Sequence, residues 1–367
     1  MTISDSSEAR EREPRENDRR LVGAPSDASR PGSMELKPCS DVGRFDEFVA
    51  ASPYGHIHQT FEWGEIKSKF GWQPLRLAAM DDGRIVAAIS LLKTTRFGVP
   101  IMYASRGPVL DYGDSGTLAR IVPQLSEIAR REKALFLRIS PAVEHMDEGV
   151  AGVLEANAFV RAARPLQHTV TTRLTLAGRS ADDLMKSFDK STRYSIRGTA
   201  KNGLEVRKGA GDEDVEAFYA LLQKTAERRK IGHFPLEFYK TVFRVLAPRG
   251  MGTLYLAYVE GRPAAGIFVM SFAGKAWSMW AGFDYELRKY NPNYALHWAA
   301  IVESLNSGLK VYDFQGIPDN PGPDSPMRGL YRFKLGFGGE TLRWLGEWDV
   351  PGRFRPLYET ANWLKLV

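Results

Sequence analysis

The sequence contains the same series of predicted elements twice. Each copy has an apolar β-hairpin with a Gly-containing turn, a third strand, a helix with apolar residues at helical spacing, and a buried strand that ends in proline. These elements are predicted at 75–92, 101–106, 117–133 and 135–141 in the first copy, and at 254–270, 276–282, 294–307 and 309–318 in the second. The second hairpin is expected to turn at Gly261 and Arg262. Four elements in one order predict a duplicated α/β unit with mixed sheets rather than a chance similarity.

Eleven residues near the end of the chain, 329–339, place two cations and three aromatic rings between glycines. Alone, this composition is typical of a surface strand with a Gly-rich turn. Cations and rings can also bind phosphate or an oxyanion and stack on bases. Together with the segment 311–318, Val-Tyr-Asp-Phe-Gln-Gly-Ile-Pro, these residues resemble the FemABX family. Members of that family are peptidoglycan-bridge aminoacyltransferases, which move an amino acid from aminoacyl-tRNA to the peptide of a cell-wall precursor.

The repeat also resembles the GNAT (acyl-CoA N-acyltransferase-like) fold, and FemABX proteins consist of two such domains in tandem. The resemblance covers about residues 36–355. It implies an α/β protein with a first domain at 34–172, completed by 345–367, and a second domain at 173–344. No segment sustains the heptads of the coiled-coil arm that some members carry, which implies a short member. Residues 1–33, rich in Ser, Glu, Arg and Pro, predict a disordered tail.

The chemistry of such a transfer needs little acid–base machinery, because an aminoacyl ester is already activated. Attack by an amine places negative charge on the carbonyl oxygen, and a cation can stabilise that charge. The resemblance implies that Phe333 and Lys334 bind the acceptor end of the tRNA, with Lys334 supporting the tetrahedral intermediate as the catalytic residue. Arg332 is assigned to the same donor site. A solvated lysine on a strand is the alternative for Lys334.

The acceptor site is predicted around the segment 59–72, where Lys67 shares a helical face with apolar residues. The resemblance matches Lys67 to a lysine that contacts the nucleotide-sugar part of the acceptor. Arg106 belongs to a Tyr-x-x-Arg-Gly-Pro segment that is also similar to the family. Tyr239 and Trp280 are candidates for the wall of the acceptor cleft, with core packing as the alternative for each.

A basic stripe is predicted on the helix that begins near Ala181. Its cations follow one another at spacings of four, three, four and four residues, and they are Lys186, Lys190, Arg193, Arg197 and Lys201. Only Asp189 interrupts the positive sign between 186 and 201. We assign Lys190, Arg193 and Arg197 to tRNA phosphates, and the alternative is the wet face of an amphipathic helix.

Other catalytic chemistries find little support in the sequence. There is no Gly-x-Ser-x-Gly elbow, and Cys39 is the single cysteine. His56 and His58, two apart on an expected strand, predict ordinary histidines rather than metal ligands. The turns after the third strands lack the glycine spacing that cradles acetyl-CoA, which argues against that donor. We therefore expect neither a metal nor a cofactor.

Two positions depart from the family pattern and leave the identity of the acceptor substrate undecided. Ser140 stands where the family often has an aspartate before a proline, and Phe234 or Pro235 stands where bridge enzymes tend to place an acceptor-binding arginine. One alternative is an N-acyltransferase of the same fold that acts on an exopolysaccharide or another surface-polymer intermediate. Another is a non-catalytic pair of domains that binds tRNA or the precursor.

The expected location follows from what the sequence lacks. No apolar run approaches the roughly 20 residues that span a bilayer, and no secretory pattern opens the chain. The net charge of +6 favours anionic ligands. We expect a cytoplasmic protein whose partners are aminoacyl-tRNA and a nucleotide- or lipid-linked peptidoglycan precursor, with peripheral contact at the inner membrane surface.

Overall fold

The computed structural model of the chain describes residues 34–363 apart from 97, 146 and 202. The predicted disordered tail, 1–33, lies outside the described residues. Among the helices that are described, none is both long enough and apolar enough to cross a membrane.

Strands and helices alternate along the chain. The strands are β1 (Lys37–Pro38), β2 (Gln73–Asp81), β3 (Arg84–Arg96), β4 (Val99–Ala104), β5 (Val109–Leu110), β6 (Phe136–Ile139), β7 (Val160–Arg161), β8 (Val170–Thr175), β9 (Leu204–Lys208), β10 (Gly252–Val259), β11 (Arg262–Phe272), β12 (Lys275–Phe283), β13 (Val311–Gly316), β14 (Glu340–Arg343) and β15 (Trp348–Pro351). The helices are α1 (Val42–Ala51), α2 (Phe61–Ser68), α3 (Ser115–Arg131), α4 (Glu148–Ala156), α5 (Ala181–Ser187), α6 (Lys190–Lys201), α7 (Asp212–Arg229), α8 (Leu236–Leu246), α9 (Pro292–Asn306), α10 (Arg328–Leu335) and α11 (Arg355–Trp363).

The first sheet has the order β1-β2-β3-β4-β6-β15-β7, with β5 paired to β3. Its one parallel pair within the described chain is β4 with β6. Helix α3 covers this sheet with the apolar stripe that its periodicity predicts, and Asp114 caps its first turn. Strand β15 arrives from the end of the chain and lies between β6 and β7.

The second sheet has the order β14-β8-β13-β12-β11-β10-β9, and β12 pairs with β13 in parallel. Helices α7 and α8 pack on one apolar cluster of this sheet, which also takes in Ile57 and Trp63 from the first half of the chain. Helices α5, α6 and α9 pack on a second cluster, together with Phe337 after α10. Side chains of successive strand residues point to opposite faces, which lets one sheet carry both clusters.

The structure confirms the predicted α/β class with mixed sheets, and both copies of the repeat are present in the predicted order. The second hairpin turns one residue earlier than expected, since Arg262 already belongs to β11. Glu260 and Gly261 take the left-handed backbone of that turn. Helices α3 and α9 each begin two residues before the predicted start.

Two predicted elements are wrong. The segment 329–339 begins as helix α10 rather than as a strand, because Leu330, Phe333 and Phe337 recur at helical spacing and no β-branched residue intervenes. The basic stripe does not lie on one helix. Phe188 is buried and has an extended backbone, so it ends α5, and α6 begins two residues later.

Candidate functional site

Helix α10 directs the side chain of Lys334 toward strand β13. The ammonium donates to the backbone carbonyl of Phe314 at 2.5 Å and to that of Gly316 at 2.8 Å. A lysine ammonium has three N–H donors. Two are therefore taken by the chain itself, and one is left for a ligand.

Strand β13 is irregular where it meets Lys334. Its register against β8 shifts between Asp313 and Gly316, and Gln315 has a left-handed backbone with a φ of 62°. A bulge interrupts the ladder and re-aims side chains, and bulges are common beside active sites. A Cβ at Gly316 would lie 2.1 Å from the His168 ring, so a larger residue would require that ring to move.

The charges around Lys334 are close together and half-buried or buried. Burial lowers the pKa of Lys334 to about 8, the neighbouring Asp313 acts in the opposite direction, and Arg229 lowers it further. Burial raises the pKa of Asp313, although a hydrogen bond from the backbone N–H of Gln315 and the charges of Arg106 and Lys334 oppose that shift. The sequence reasoning quoted Asp313 only as part of a motif. A lone carboxylate in an otherwise apolar strand was the signal that could have singled it out.

Arg106 reaches the same place from the first sheet. It directly follows the Ser105 turn after β4, has a φ of 57°, and is 4% exposed. Its Nη2 donates to the carbonyl of His168 at 3.2 Å, and its guanidinium lies 4.8 Å from the Trp344 ring. Burial lowers the pKa of His168, and the charges of Lys334 and Arg106 lower it further. Arg106 and Lys334, predicted separately, therefore flank one histidine.

A cavity of about 340 Å³ opens between the two sheets beside these groups. Arg106, Asp313 and Gln315 line it, and two cations that sequence reasoning missed, Arg173 of β8 and Lys275 of β12, line it as well. The sequence gives no signal for Arg173 or Lys275, because each is an isolated cation on its strand and the two come together only through the pairing of the sheet. Lys334 does not line the cavity itself but borders it through Asp313.

Lys67 of α2 lies in a cage of aromatic rings. Its ammonium is 5.2 Å from the ring of Trp72, 5.6 Å from Phe234, 5.7 Å from Phe238 and 5.9 Å from Trp63. Burial lowers the pKa of Lys67 to about 8, with a further contribution from Arg96. No carboxylate of the described chain forms an ion pair with it. The structure thus brings together Lys67 and Phe234, which the sequence named for different reasons.

A row of rings in contact joins the cavity to this cage. His56 lies 4.4 Å from Trp277 of the cavity wall, His58 lies 4.6 Å from His56, and Trp63 of the cage lies 4.4 Å from His58. The two histidines belong to a short 3-10 turn, Ile57–Gln59, and its cap rather than to the expected strand. Burial, followed by the charges of Arg106 and Lys67, lowers the pKa of His58 to about 3. His58 is therefore uncharged at neutral pH.

Tyr239 and Trp280 are placed next to the cage but in the core. Tyr239 is 2% exposed and packs 5.3 Å from Trp280, which in turn packs on Phe238 and Phe268. Core packing, the alternative reading of both residues, accounts for these positions. A direct contact between Tyr239 and an acceptor would need the core to open.

Phe333 also differs from its predicted setting. Its ring packs 4.8 Å from Tyr294, 5.4 Å from His297 and 5.4 Å from Phe337. It is half-buried against the apolar cluster rather than standing free as a platform for a base. Its contribution to the site is to fix α10, and thereby Lys334, on the second sheet.

The predicted donor cations divide into two groups. Lys190, Arg197 and Arg332 are exposed, and α6 lies against the end of α10, where the N–H of Asp189 donates to the carbonyl of Gly336 at 2.8 Å. Arg193 is instead engaged with the end of α5, because its guanidinium donates to the carbonyls of Lys186 and Phe188. Both bonds are made by Nη1, so a phosphate-binding role for Arg193 stays a prediction and would have to use Nε or Nη2. We call the exposed set Lys190, Tyr194, Arg197 and Arg332 the α6–α10 surface, in which Tyr194 is 80% exposed.

Comparison with known families divides the chain as its two sheets do. Residues 41–158 match the FemAB family, and residues 186–335 match the acetyltransferase (GNAT) domain. A lipid II:glycine glycyltransferase of Staphylococcus haemolyticus is 24% identical over 87% of this chain and 93% of its own length. A UDP-N-acetylmuramoylpentapeptide-lysine N(6)-alanyltransferase of Weissella viridescens is 29% identical over 86% of this chain and 95% of its own length.

Solved structures give the same result for the fold. The crystal structure of FemX superposes with a TM-score of 0.80 at 22% identity, and the match covers 90% of this chain and all of that one. A tandem GNAT protein from the clavulanic acid biosynthesis pathway superposes with a TM-score of 0.55 at 16% identity, over 86% of this chain and 98% of its own. Both comparisons support tandem GNAT-like domains as the architecture of this chain.

Proposed function

Because this chain belongs to the FemABX family and is an acyltransferase of the GNAT fold, we propose that it transfers an amino acid from aminoacyl-tRNA to the peptide of a peptidoglycan precursor. The product would be an amide in an interpeptide bridge, which contributes to cell-wall biogenesis and cell shape. The names of two relatives, a lipid II:glycine glycyltransferase and a lysine alanyltransferase, support the transfer of an amino acid to a peptidoglycan precursor, and the aminoacyl-tRNA donor is the further part of the proposal.

The observation that carries the proposal is the placement of Lys334. Its ammonium is held by two carbonyls of β13 at the border of a cavity, with one donor free. In the reaction the acceptor nitrogen attacks the ester carbonyl carbon, and the carbonyl oxygen becomes an oxyanion that this donor would bind. The ester C–O bond then breaks, the amide forms, and the proton released by the amine ends on the departing ribose oxygen.

The donor would approach over the α6–α10 surface. Its cations are exposed and lie on α10, which carries Lys334, and on α6, whose start is hydrogen-bonded to the end of α10. Exposed cations bind the phosphates of a nucleic acid by releasing counterions. Tyr194 adds an exposed ring on which a base can stack. We therefore propose that the acceptor end of tRNA reaches Lys334 from this side, in the cytoplasm.

The acceptor would enter from the Lys67 cage. The row of rings from Trp63 to Trp277 leads from that cage to the cavity, so an acceptor could hold its carrier group at Lys67 and its amine near Lys334. The carrier is a nucleotide or a lipid. A lipid carrier would bring the protein into peripheral contact with the inner membrane surface.

A second candidate acceptor is an exopolysaccharide or another surface-polymer intermediate. The Phe234 ring, 5.6 Å from the Lys67 ammonium, favours it, because this residue stands where bridge enzymes tend to have an arginine. An aromatic ring can pack on the apolar face of a sugar, whereas an arginine at this position would add a donor for a diphosphate.

Mass spectrometry of muropeptides from cells with and without the gene tests the proposal. We expect an added amino acid on the stem peptide of the parent strain, absent from the deletion and restored by the wild-type gene. A Lys334→Met gene that restores the modification would exclude the proposed chemistry. Unchanged muropeptides together with altered surface polysaccharide would favour the second candidate. A chain that binds tRNA or precursor but alters neither polymer would be the non-catalytic alternative.

A further inference from the structure

Three cations line the cavity between the sheets, and of the three carboxylates in its walls one is buried. Arg106, Arg173 and Lys275 face it from three separate strands or strand ends. Of the acidic residues that line it, Glu144 is exposed and Asp147 caps helix α4, so Asp313 is the one carboxylate buried inside. The three cations therefore meet one buried carboxylate.

The hydrogen bonds of these cations leave donors free. The guanidinium of Arg106 has five N–H groups, and the described residues accept from it at one place, the carbonyl of His168. Lys275 donates to the carbonyls of Pro53 at 2.6 Å and Gly55 at 3.0 Å, which leaves one donor. In the part of the chain that the structure describes, the side chain of Arg173 makes no hydrogen bond or ion pair. Of the three cations Arg106 is the buried one, at 4% exposure, and a buried guanidinium with unpaired N–H groups is unfavourable, so an anionic ligand that accepts from them would be stabilising.

Trp344 supplies a further donor in the same wall. Its indole N–H is buried and has no hydrogen-bond partner among the described residues. Buried polar groups are almost always satisfied in native proteins, so an orphaned donor beside a cavity points to a ligand acceptor. The ligand group that accepts this hydrogen bond must be compact, because the cavity has a volume of about 340 Å³.

The buried carboxylate of Asp313 limits which anionic ligand the cavity can bind. It is 3% exposed, lines the cavity, and has one oxygen bonded to the N–H of Gln315 at 2.6 Å. A dianionic phosphate beside this carboxylate would be repelled. A monoanionic carboxylate with an ammonium or amine next to it would satisfy both signs of charge at once.

We propose that the cavity binds an amino-acid centre that carries an amine and a carboxylate on one carbon. The carboxylate lies among Arg106, Arg173, Lys275 and the Trp344 N–H, and the amine lies toward Asp313. This inference rests on the proposed function, under which the centre is the end of the acceptor side chain. The preferred acceptor peptide therefore carries a diamino diacid such as meso-diaminopimelate rather than lysine.

Two synthetic tripeptide amides that differ in one group test the inference. Both have the sequence L-Ala-γ-D-Glu-X amide, with X either meso-diaminopimelate or L-lysine, so that only the former has a carboxylate beside its side-chain amine. Calorimetry on the full chain is expected to show about 10- to 100-fold tighter binding of the diaminopimelate peptide, the effect of one charge-assisted hydrogen-bond set. Equal affinity of the two peptides would overturn the proposal.

Arg173→Gln provides the matched variant, because Arg173 is half-exposed and its loss leaves no buried charge. We expect it to lower the affinity for the diaminopimelate peptide and to leave that for the lysine peptide unchanged. Arg84→Gln, at the exposed tip of the first hairpin, should change neither. An unchanged preference in Arg173→Gln, or displacement of the peptide by inorganic phosphate at equal concentration, would contradict the assigned chemistry.

Binding of these peptides needs no tRNA, so the two proposals can fail separately. A clear preference for the diaminopimelate peptide without any transfer from charged tRNA would leave this inference standing and remove the proposed function. Transfer to lysine and diaminopimelate precursors at equal rates and affinities would retain the function and remove this inference.

Discussion

At the scale of single residues, the account depends on how Lys334 is held. The carbonyls of Phe314 and Gly316 fix its ammonium, and burial lowers its pKa to about 8. The family resemblance pointed to this residue from the sequence. The bulge that holds it could not be predicted, because its signal, Gln315 in a left-handed conformation, is a property of the backbone.

The lowered pKa makes a prediction about pH. The ammonium predominates below about pH 8 and is lost above it, so the single-turnover rate at saturating acceptor should fall as pH rises through about 8. An arginine remains charged throughout this range. Lys334→Arg should therefore be slower but should lack this alkaline limb, whereas Lys67→Arg should retain it. A limb that persists in Lys334→Arg would show that another group titrates.

Gly316 makes a second prediction at this scale. A Cβ there would overlap the His168 ring, and the backbone carbonyl of the same residue accepts from Arg106, so we expect Gly316→Ala to shift His168 and with it Arg106. A displacement of about 1 Å can cost roughly 10²-fold in rate. We expect such a loss with a small change in Tm. Gly322→Ala is the control, since a Cβ there meets no atom within 4 Å. Equal rates for the two variants would contradict the packing argument.

At the scale of elements, the repeat could be predicted from hydrophobic periodicity and turn residues, and its strands and helices are where those signals place them. The sequence did not predict where one helix ends and the next begins. Spacing alone suggested one basic helix from Ala181, but the burial of Phe188 outweighs the helical propensity of its neighbours and breaks the helix. Arg193 then bonds the carbonyls at the break through Nη1. Tertiary packing of this kind is not visible in a local pattern.

The break predicts different effects for cations of the same stripe. Lys190→Gln and Arg197→Gln should each lower the slope of log affinity for tRNA against log salt by about 0.7 to 0.9, because each removes a phosphate contact. Arg193→Gln should leave that slope unchanged and lower the Tm, because it removes a cap of α5. Filter binding across a salt series and thermal melts separate the two outcomes. A slope that falls as much in Arg193→Gln would return this residue to the donor surface.

At the scale of the whole molecule, the end of the chain completes the first sheet. Strand β15 pairs with β6 and β7, and Asp349 accepts from Arg138 at 2.6 and 2.8 Å with both side chains buried. Glu347, just before β15, accepts from Tyr103 and from the N–H groups of Leu166 and Gln167. The division into domains at 172 and 345 stays a prediction. It came from the family resemblance, since nothing in the composition of 345–367 marks a partner so distant in sequence.

The buried pair predicts the cost of disrupting this closure. Arg138→Met should lower the free energy of unfolding by about 3–5 kcal/mol, because it leaves the Asp349 carboxylate buried without a counter-charge. Arg355→Met is the matched control. It breaks an exposed pair with Glu359 in the same C-terminal segment and should cost at most about 0.5 kcal/mol. Urea unfolding measures both, and similar losses would show that the buried pair does not hold the strand.

The central claim is that this chain forms an amide from aminoacyl-tRNA with Lys334 stabilising the oxyanion. The most direct test is single-turnover transfer of labelled amino acid from charged tRNA to nucleotide- and lipid-linked precursor. We expect transfer by the wild type, a loss of about 10²–10³ in rate for Lys334→Met with tRNA affinity near the wild-type value, and no loss for Lys37→Met at an exposed lysine. Near-wild-type rates in Lys334→Met, or amide formation from acetyl-CoA in place of charged tRNA, would contradict the account.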